Sequence, residues 1–560
     1  MQTNYNFNKL CKILILIAIC ITCYGLIFPV TSASFSPWYG SIAKNIALSN
    51  NWTDLVLSNQ DWLDKPHFPF WAAALSFKIF GVNSFGYVFP GLVFHLIGAL
   101  YTYKLANYLY KNESVALLST LIYLTILHLL LSAIDVRAEA YLLGQIMPAV
   151  YYWLQYDEKF TLKSLILGAL FTGLALMTKG IFVIITIVSG LFCLWVYQKR
   201  LINIIHPKWL FALLLSFAFA LPEVWALYQQ FDLHPEKVVF GHTHVSGVRW
   251  FFIDSQFGRF FGTGPIATTN PPPLHQLFFI HTFLWAFLPW TILFPVAIYY
   301  STRYFKKDSQ QNRNNTVILL GYFFISFIMF SITSFQVDHY TNIIFPFAAI
   351  MSAKVMLDFA NSNHKIYPIQ QGLGILMLGL LAVLIGLLFS GLILAGFILL
   401  ELIVIVLLIK EWGQPPIIKA ILIPFAAILM VFMFAMTVNG YLYHKYDTGF
   451  LASEITSQHP EIPVVDYITD SRALEFYAKN KYYKVNDLKD TLNLAEYYLV
   501  VPDKEIEKVK AYNLPKTTII AQIQGNLPEK IIPHLGSTEK LQGNLDTFDI
   551  ILVQNNQNAK

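Results

Sequence analysis

The sequence predicts a mainly α-helical, polytopic membrane protein of about thirteen transmembrane helices, followed by a small C-terminal α/β domain. Three observations lead there. Of 560 residues only 13% are charged and 56% are hydrophobic, where a soluble domain averages roughly 25% charged. Long apolar runs, each approaching the ~20 residues that cross a bilayer, recur up to residue 441. Beyond residue 442 the pattern changes to short β-rich runs between polar stretches.

The runs lie at 10–30, 84–108, 114–134, 138–156, 163–178, 180–198, 208–229, 275–299, 316–334, 340–358, 368–388, 391–409 and 417–440. The first is longer than the apolar core of a cleaved signal peptide, so it reads as a retained span. With the N-terminus in the cytoplasm, three basic loops fall on that side. They hold Lys199, Arg200 and Lys208, then Arg303, Lys306, Lys307 and Arg313, then Lys410 and Lys419, as the positive-inside rule requires. An odd number of spans then carries residues 442–560 to the outer face, together with the long loops 31–83 and 230–274. The predicted domains are thus 1–441 in the membrane and 442–560 in water outside it.

In the outer domain Val464–Ile468, Tyr497–Val501, Thr518–Ile523 and Phe548–Val553 read as strands. Ser471–Lys479 and Lys504–Ala511 read as helices. That alternation predicts an α/β fold, and without a glycine-rich phosphate loop it reads as a scaffold or an acceptor-docking module. The net charge of +5 comes with no dense basic tract, which argues against nucleic-acid binding. Cys11, Cys20, Cys23 and Cys193 lie in apolar segments without metal or disulfide spacing and read as packing residues.

Chemistry concentrates in the outer loops. Loop 31–83 begins with an amphipathic helix, Trp38–Leu48, whose face of Tyr39, Ile42, Ala43 and Ile46 suits a membrane surface. It continues into Asp61-Trp62-Leu63-Asp64-Lys65-Pro66-His67-Phe68-Pro69-Phe70-Trp71. Pro66 and Pro69 stiffen that stretch, and Lys65 between Asp64 and His67 is placed to meet a phosphate. A lysine at this depth also serves as a plain interfacial anchor. Asp135, Arg137 and Glu139 stand at the end of the third run, where a salt bridge sealing a helix end is the plainer role. Lys179 sits alone between the fifth and sixth runs. Loop 230–274 adds His242 and His244, a pair too short of ligands to make a zinc site. It also adds Arg259 among glycines and phenylalanines, where a guanidinium can grip a phosphate at two points. His339 and Tyr340 open the tenth run on the same face.

The order and spacing of these motifs resemble the GT-C membrane glycosyltransferases. The resemblance is to the protein O-mannosyltransferase superfamily, and most to its bacterial branch that includes the aminoarabinose transferases of lipid A. It rests on Tyr39-Gly40-Ser41-Ile42-Ala43, Asp64-Lys65-Pro66 and Phe77-Lys78-Ile79-Phe80-Gly81. It continues through Asp135 with Glu139, Thr178-Lys179-Gly180, Arg259-Phe260, and His339-Tyr340 with Pro346. The resemblance implies a sugar donor on polyprenyl phosphate and a lipid A, glycan or protein acceptor, met at the outer face of a bacterial inner membrane. It implies a donor phosphate held by Lys65, Lys179 and Arg259, with His67, Tyr39, His339 and Tyr340 also in contact with substrate. It assigns no cofactor with certainty, and a divalent metal stays open.

One departure stands out. The family has an acidic pair before the arginine-tyrosine of its first loop, but the matching positions here are Phe35 and Ser36, with Trp38 for the arginine. Asp64, Asp135 or Glu139 is then expected to take the catalytic role, or else the acceptor is an anion that needs no base. Two other classes compete with the enzyme. A non-catalytic binder of polyprenyl phosphate would explain the missing acid. A transporter of lipid-linked glycans would also have many spans, but no internal repeat of the kind such carriers show is evident.

Overall fold

The computed structural model describes residues 2–263, 265, 275–360, 364–389, 391–410, 413–469, 471–491, 493–512, 514–526, 528–535 and 537–555. Every predicted apolar run is helical within them. Among the described residues seven helices are individually long and apolar enough to cross a membrane, so the protein is a multi-pass membrane protein. Several other runs are shorter helices or broken pairs. Run 114–134 divides into Glu113–Leu124 and Leu127–Ser132, and run 275–299 into Phe278–Ala286 and Leu293–Arg303. The two breaks brace each other. The Leu127 amide donates to the Leu288 carbonyl at 2.8 Å, and the Trp290 indole donates to the Thr125 hydroxyl at 3.0 Å. Backbone groups freed by a break inside the membrane need partners of this kind. Run 208–229 bends by 44° between Pro207–Phe219 and Leu221–Asp232, where Pro222 can only start a helix.

Loop 31–83 is more ordered than expected. Its first helix is Ser36–Ser49, and a second apolar helix, Phe68–Phe80, follows with Pro69 in its first turn. Between them β1 (Val56–Leu57) and β2 (Gln60–Asp61) form a small antiparallel hairpin. Helix Ser36–Ser49 was expected to lie on the membrane surface. Instead Ile42, Ala43, Ile46 and Ala47 are buried, because Phe68–Phe80 covers one side and the C-terminal domain covers another.

That C-terminal domain carries β3 (Val464–Tyr467), β4 (Tyr482–Val485), β5 (Glu496–Pro502), β6 (Lys516–Gly525) and β7 (Asp546–Gln554) in one mixed sheet of order β4-β3-β5-β7-β6. Strand β3 runs parallel to both its neighbours, whereas β7 is antiparallel to β5 and β6. Four of these strands match the predicted runs. Strand β4 does not, because Lys481 and Lys484 interrupt its apolar signal.

The domain is latched to loop 31–83 by polar groups. Lys44, though 7% exposed, donates to the carbonyls of Glu475, Phe476 and Ala478 at 2.7, 3.4 and 2.5 Å. Burial pushes its pKa down to about 8 against the opposing pull of Glu475. Glu475 in turn accepts from Asn45 and from the Ser58 amide and hydroxyl. The Arg472 guanidinium lies over the rings of Phe35 and Trp38, 4.6 and 5.4 Å from their centres. Gly40 is required here, since a Cβ would meet the Phe476 ring at 2.7 Å.

Candidate functional site

Lys179 ends helix Leu162–Lys179, and the chain then turns through Gly180 at φ +97°. That turn lifts the lysine into the space where Glu139, Tyr340 and Gln256 meet. Its ammonium pairs with Glu139, in the first turn of Ala138–Glu158, and lies 4.0 Å from the centre of the Tyr340 ring. Glu139 is almost fully buried, so the pair is a desolvated one, which holds its geometry strongly once formed. A Cβ at Gly180 would run into the Gln256 amide, so glycine there also sets where Gln256 stands.

Two adjoining cavities share this lysine. One, of about 710 Å³, is lined by Glu139, Lys179, Thr186, Ser255, Gln256, Thr333 and Tyr340, and otherwise by apolar groups such as Phe182, Met329, Phe330 and Ile343. The other, of about 320 Å³, is lined by Asp64, Lys65, Lys179, Glu223, Ser255 and Gln256 among others. Lys65 and Lys179, 114 positions apart in sequence, thus face one polar cavity that joins a largely apolar one. Within it the Lys65 ammonium is held by Asp64 at 2.6 Å.

Behind Glu139 runs a chain of titratable groups. His339 Nε2 lies 3.7 Å from Glu139, and its Nδ1 lies 3.1 Å from both Asp338 and Arg137. Asp338, partly exposed, also meets His128 at 3.6 Å. Arg137 donates to Asp135 at 2.9 Å. The other oxygen of Asp135 accepts from the hydroxyls of Ser34 and Ser36. The first loop therefore has a carboxylate beside Ser36 after all, supplied by a neighbouring loop.

The expected residues do not all come together. Asp64, Lys65, Glu139, Lys179 and Tyr340 line the two cavities. Asp135 and His339 stand behind the walls, in the network just described. Tyr39 lies outside both walls, with its ring edge-on to Phe70 at 5.2 Å. Arg259 falls in helix Ser255–Phe261, and its side chain is outside the described residues. His67, expected at the substrate, lines neither cavity. It is fully buried, with Nδ1 3.0 Å from Glu223, Nε2 2.9 Å from the Thr53 carbonyl, and its own amide donating to Glu223 at 2.9 Å. Its task is to fasten the loop carrying Lys65 onto the bent helix pair. No group of three or more His, Cys, Asp or Glu side chains among the described residues could hold a metal ion.

His67 carries a pH signature. Burial alone would lower its pKa, but Glu223 and the Thr53 carbonyl outweigh it, so the value lies above the ordinary 6.5. A raised value in the folded state stabilises fully below pH 6.5 and fades as pH rises through the folded pKa. His67→Gln is therefore expected to cost about 3–5 kcal/mol in acid, the scale for breaking a buried pair, and less in alkali. Thermal unfolding in detergent at about pH 5.5 and pH 8.5 reads this. An equal loss at both would show His67 to be uncharged.

Ser255 and Gln256, shared by both cavities, were not singled out from the sequence. They sit in the stretch Asp254–Phe261, whose arginine drew the attention. Glu223 and His128 were also missed, since no local signal separates a buried acid or imidazole from a helix-end one.

The residues 64–225 match a family model described as dolichyl-phosphate-mannose-protein mannosyltransferase. That span includes Asp64, Lys65, Asp135, Glu139 and Lys179, and begins after the departing Phe35–Trp38. An uncharacterized protein of Aquifex aeolicus is 26% identical over 58% of this chain and 59% of its own length. The undecaprenyl phosphate-alpha-4-amino-4-deoxy-L-arabinose arabinosyl transferase 2 of Proteus mirabilis is 25% identical over 58% of this chain and 55% of its own. The chain thus spans little more than half the length of these relatives. A crystal structure of ArnT from Cupriavidus metallidurans bound to undecaprenyl phosphate superposes with a TM-score of 0.72. The superposition covers 96% of this chain and 97% of that one at 13% identity. The chain is thus similar in fold to ArnT and, over part of its length, similar in sequence to the bacterial aminoarabinose transferases.

Proposed function

We propose that the protein transfers a sugar from a polyprenyl-phosphate-linked donor to an acceptor on lipid A, a glycan or a protein. The reaction takes place at the periplasmic face of a bacterial inner membrane. The observation that carries this reading is Lys179, shared between a polar cavity containing Lys65 and a largely apolar one. A lipid phosphate has those two halves. Its charged head would lie between the two ammonium groups, and the start of its isoprenoid chain would lie against Phe182, Met329 and Phe330.

The chain's own residues account for the chemistry. Glu139 takes the proton from the acceptor hydroxyl, and the acceptor oxygen bonds to the anomeric carbon. The bond from that carbon to the phosphate oxygen breaks, and the electron pair leaves with the polyprenyl phosphate. Lys65 and Lys179 neutralise the charge growing on it, which is the main electrostatic help such a transfer needs. When the phosphate draws on Lys179, that lysine's hold on Glu139 weakens and the carboxylate becomes a better base. His339 and the partly exposed Asp338 then offer the proton a way to water. Asp64 positions Lys65, and Asp135 ties Arg137 to the first loop.

The relatives' names speak of undecaprenyl phosphate and an aminoarabinose, which supports this donor class. Purified protein in nanodiscs, given a radiolabelled undecaprenyl-phosphate sugar and lipid A, is expected to release undecaprenyl phosphate. Parallel lipid and glycan profiles of cells with and without the gene identify the acceptor. Binding of the donor with no transfer to any acceptor class would replace the enzyme by a binding subunit.

A further inference from the structure

The three helices before the outer domain leave an open face toward the lipid. Between Ile366–Leu388 and Gly391–Lys410, floored by Ile423 of Pro416–Tyr446, lies a groove of about 1260 Å³ with an almost wholly apolar wall. Glu401 is the exception. It lies ten residues into Gly391–Lys410, about 15 Å along the helix and so near the middle of the ~30 Å hydrocarbon layer. It lines the groove and is only 7% exposed. Among the described residues no hydrogen bond or ion pair reaches it. An acid at that depth is costly and as a rule faces a partner.

The same face has a shape. Ile398, Leu402, Ile405 and Ile409 line the groove and are exposed, spaced four, three and four residues apart as the knobs of a coiled coil are. Beside them Gly372, Gly379 and Gly386 recur every seven residues on Ile366–Leu388, and a Cβ at any of the three would meet nothing within 4 Å. A ridge and a trough thus lie side by side.

We propose that this face joins two copies of the chain about a two-fold axis, with the ridge of each seated in the glycine trough of the other. A self-complementary patch of this kind is what a two-fold interface requires, and small residues let membrane helices approach closely. The acid favours a second copy over a lipid tail. A carboxyl kept neutral in hydrocarbon both donates and accepts a hydrogen bond. A second Glu401 satisfies both needs, and an isoprenoid or acyl chain satisfies neither.

The test counts subunits. The full chain, carrying one fluorophore per copy, is reconstituted in vesicles at about one protein per 10⁵ lipids, and photobleaching steps are counted. Two-step spots are expected to dominate. Gly379→Leu, whose Cβ enters open space and whose branch fills the trough, is expected to raise the dissociation constant by about tenfold or more, as is Glu401→Leu. Glu401→Gln keeps a donor and an acceptor and is expected to retain the pair. Donor binding should be unchanged in all three, which shows that they fold. Single-step spots for the unaltered protein at every density would overturn the proposal and leave the face to a lipid or to another protein's helix. Pairs that survive Gly379→Leu would also overturn it, because the contact would then lie elsewhere.

Discussion

Glu139→Gln is expected to lower the turnover of sugar transfer by about 10²–10⁴-fold, the range for loss of a general base, with little change in donor affinity. The amide keeps the shape of the side chain and a hydrogen-bond acceptor for Lys179, but it cannot take a proton. The split between turnover and affinity separates two roles. If Glu139 did no more than hold Lys179, the amide would loosen that lysine and the loss would appear in donor binding. Asp135→Asn and Asp64→Asn are the comparisons. Asp135 lies behind the cavity walls, with Arg137, Ser34 and Ser36 around it, so its variant should act through the first loop and cost less. Asp64 touches Lys65, so its variant should weaken the donor phosphate site. A full-sized loss of turnover in Asp64→Asn, with Glu139→Gln near normal, would move the base to Asp64. Near-normal turnover in all three would point to an anionic acceptor that has no proton to give up.

Much of this arrangement was legible in the sequence, and the reason is the membrane. A bilayer forces long apolar runs and sorts charges to their ends, so Lys65, Glu139 and Lys179 stand out simply by being where charge is scarce. They do meet, around one pair of cavities, and helices occupy the apolar runs. What the sequence hides is which side chains meet across the gaps. His67 looks like a ligand because it follows Asp64 and Lys65, yet its ring faces Glu223, which lies 156 positions on. Gln256 looks like a polite surface residue until Gly180, a distant turn, proves to lie against it. The amphipathic face of Ser36–Ser49 was plain from Ile42, Ala43 and Ile46. Nothing local says that Phe476 rather than lipid covers it, because that depends on Lys44 finding three backbone carbonyls in a domain more than 400 residues away. The missing first-loop acid is the same lesson in reverse. The first loop itself offers Phe35 and Ser36 there, whereas the fold brings Asp135 to Ser34 and Ser36 from another loop.

The two lysines are expected to fail together rather than separately. Lys65→Met and Lys179→Met should each weaken donor binding by about 10- to 100-fold, since one hydrogen bond to a charged group contributes roughly 1.5–3 kcal/mol. The rate should fall further, by about 10²–10³-fold, because the charge on the phosphate is greatest as the sugar leaves. Lys179→Met also strands the buried Glu139, so its loss would mix binding with stability. Pairing it with Glu139→Gln removes the stranded charge and lets donor affinity be read alone. The double variant Lys65→Met with Lys179→Met should then lose less affinity than the two single losses added, because both hold one phosphate and coupled neighbours do not add. Isothermal titration with undecaprenyl phosphate in nanodiscs measures all of these. Strict additivity would mean that the lysines hold different groups, one the donor phosphate and the other an anionic acceptor. Unchanged affinity in both single variants would remove them from the donor site and leave that role to Arg259.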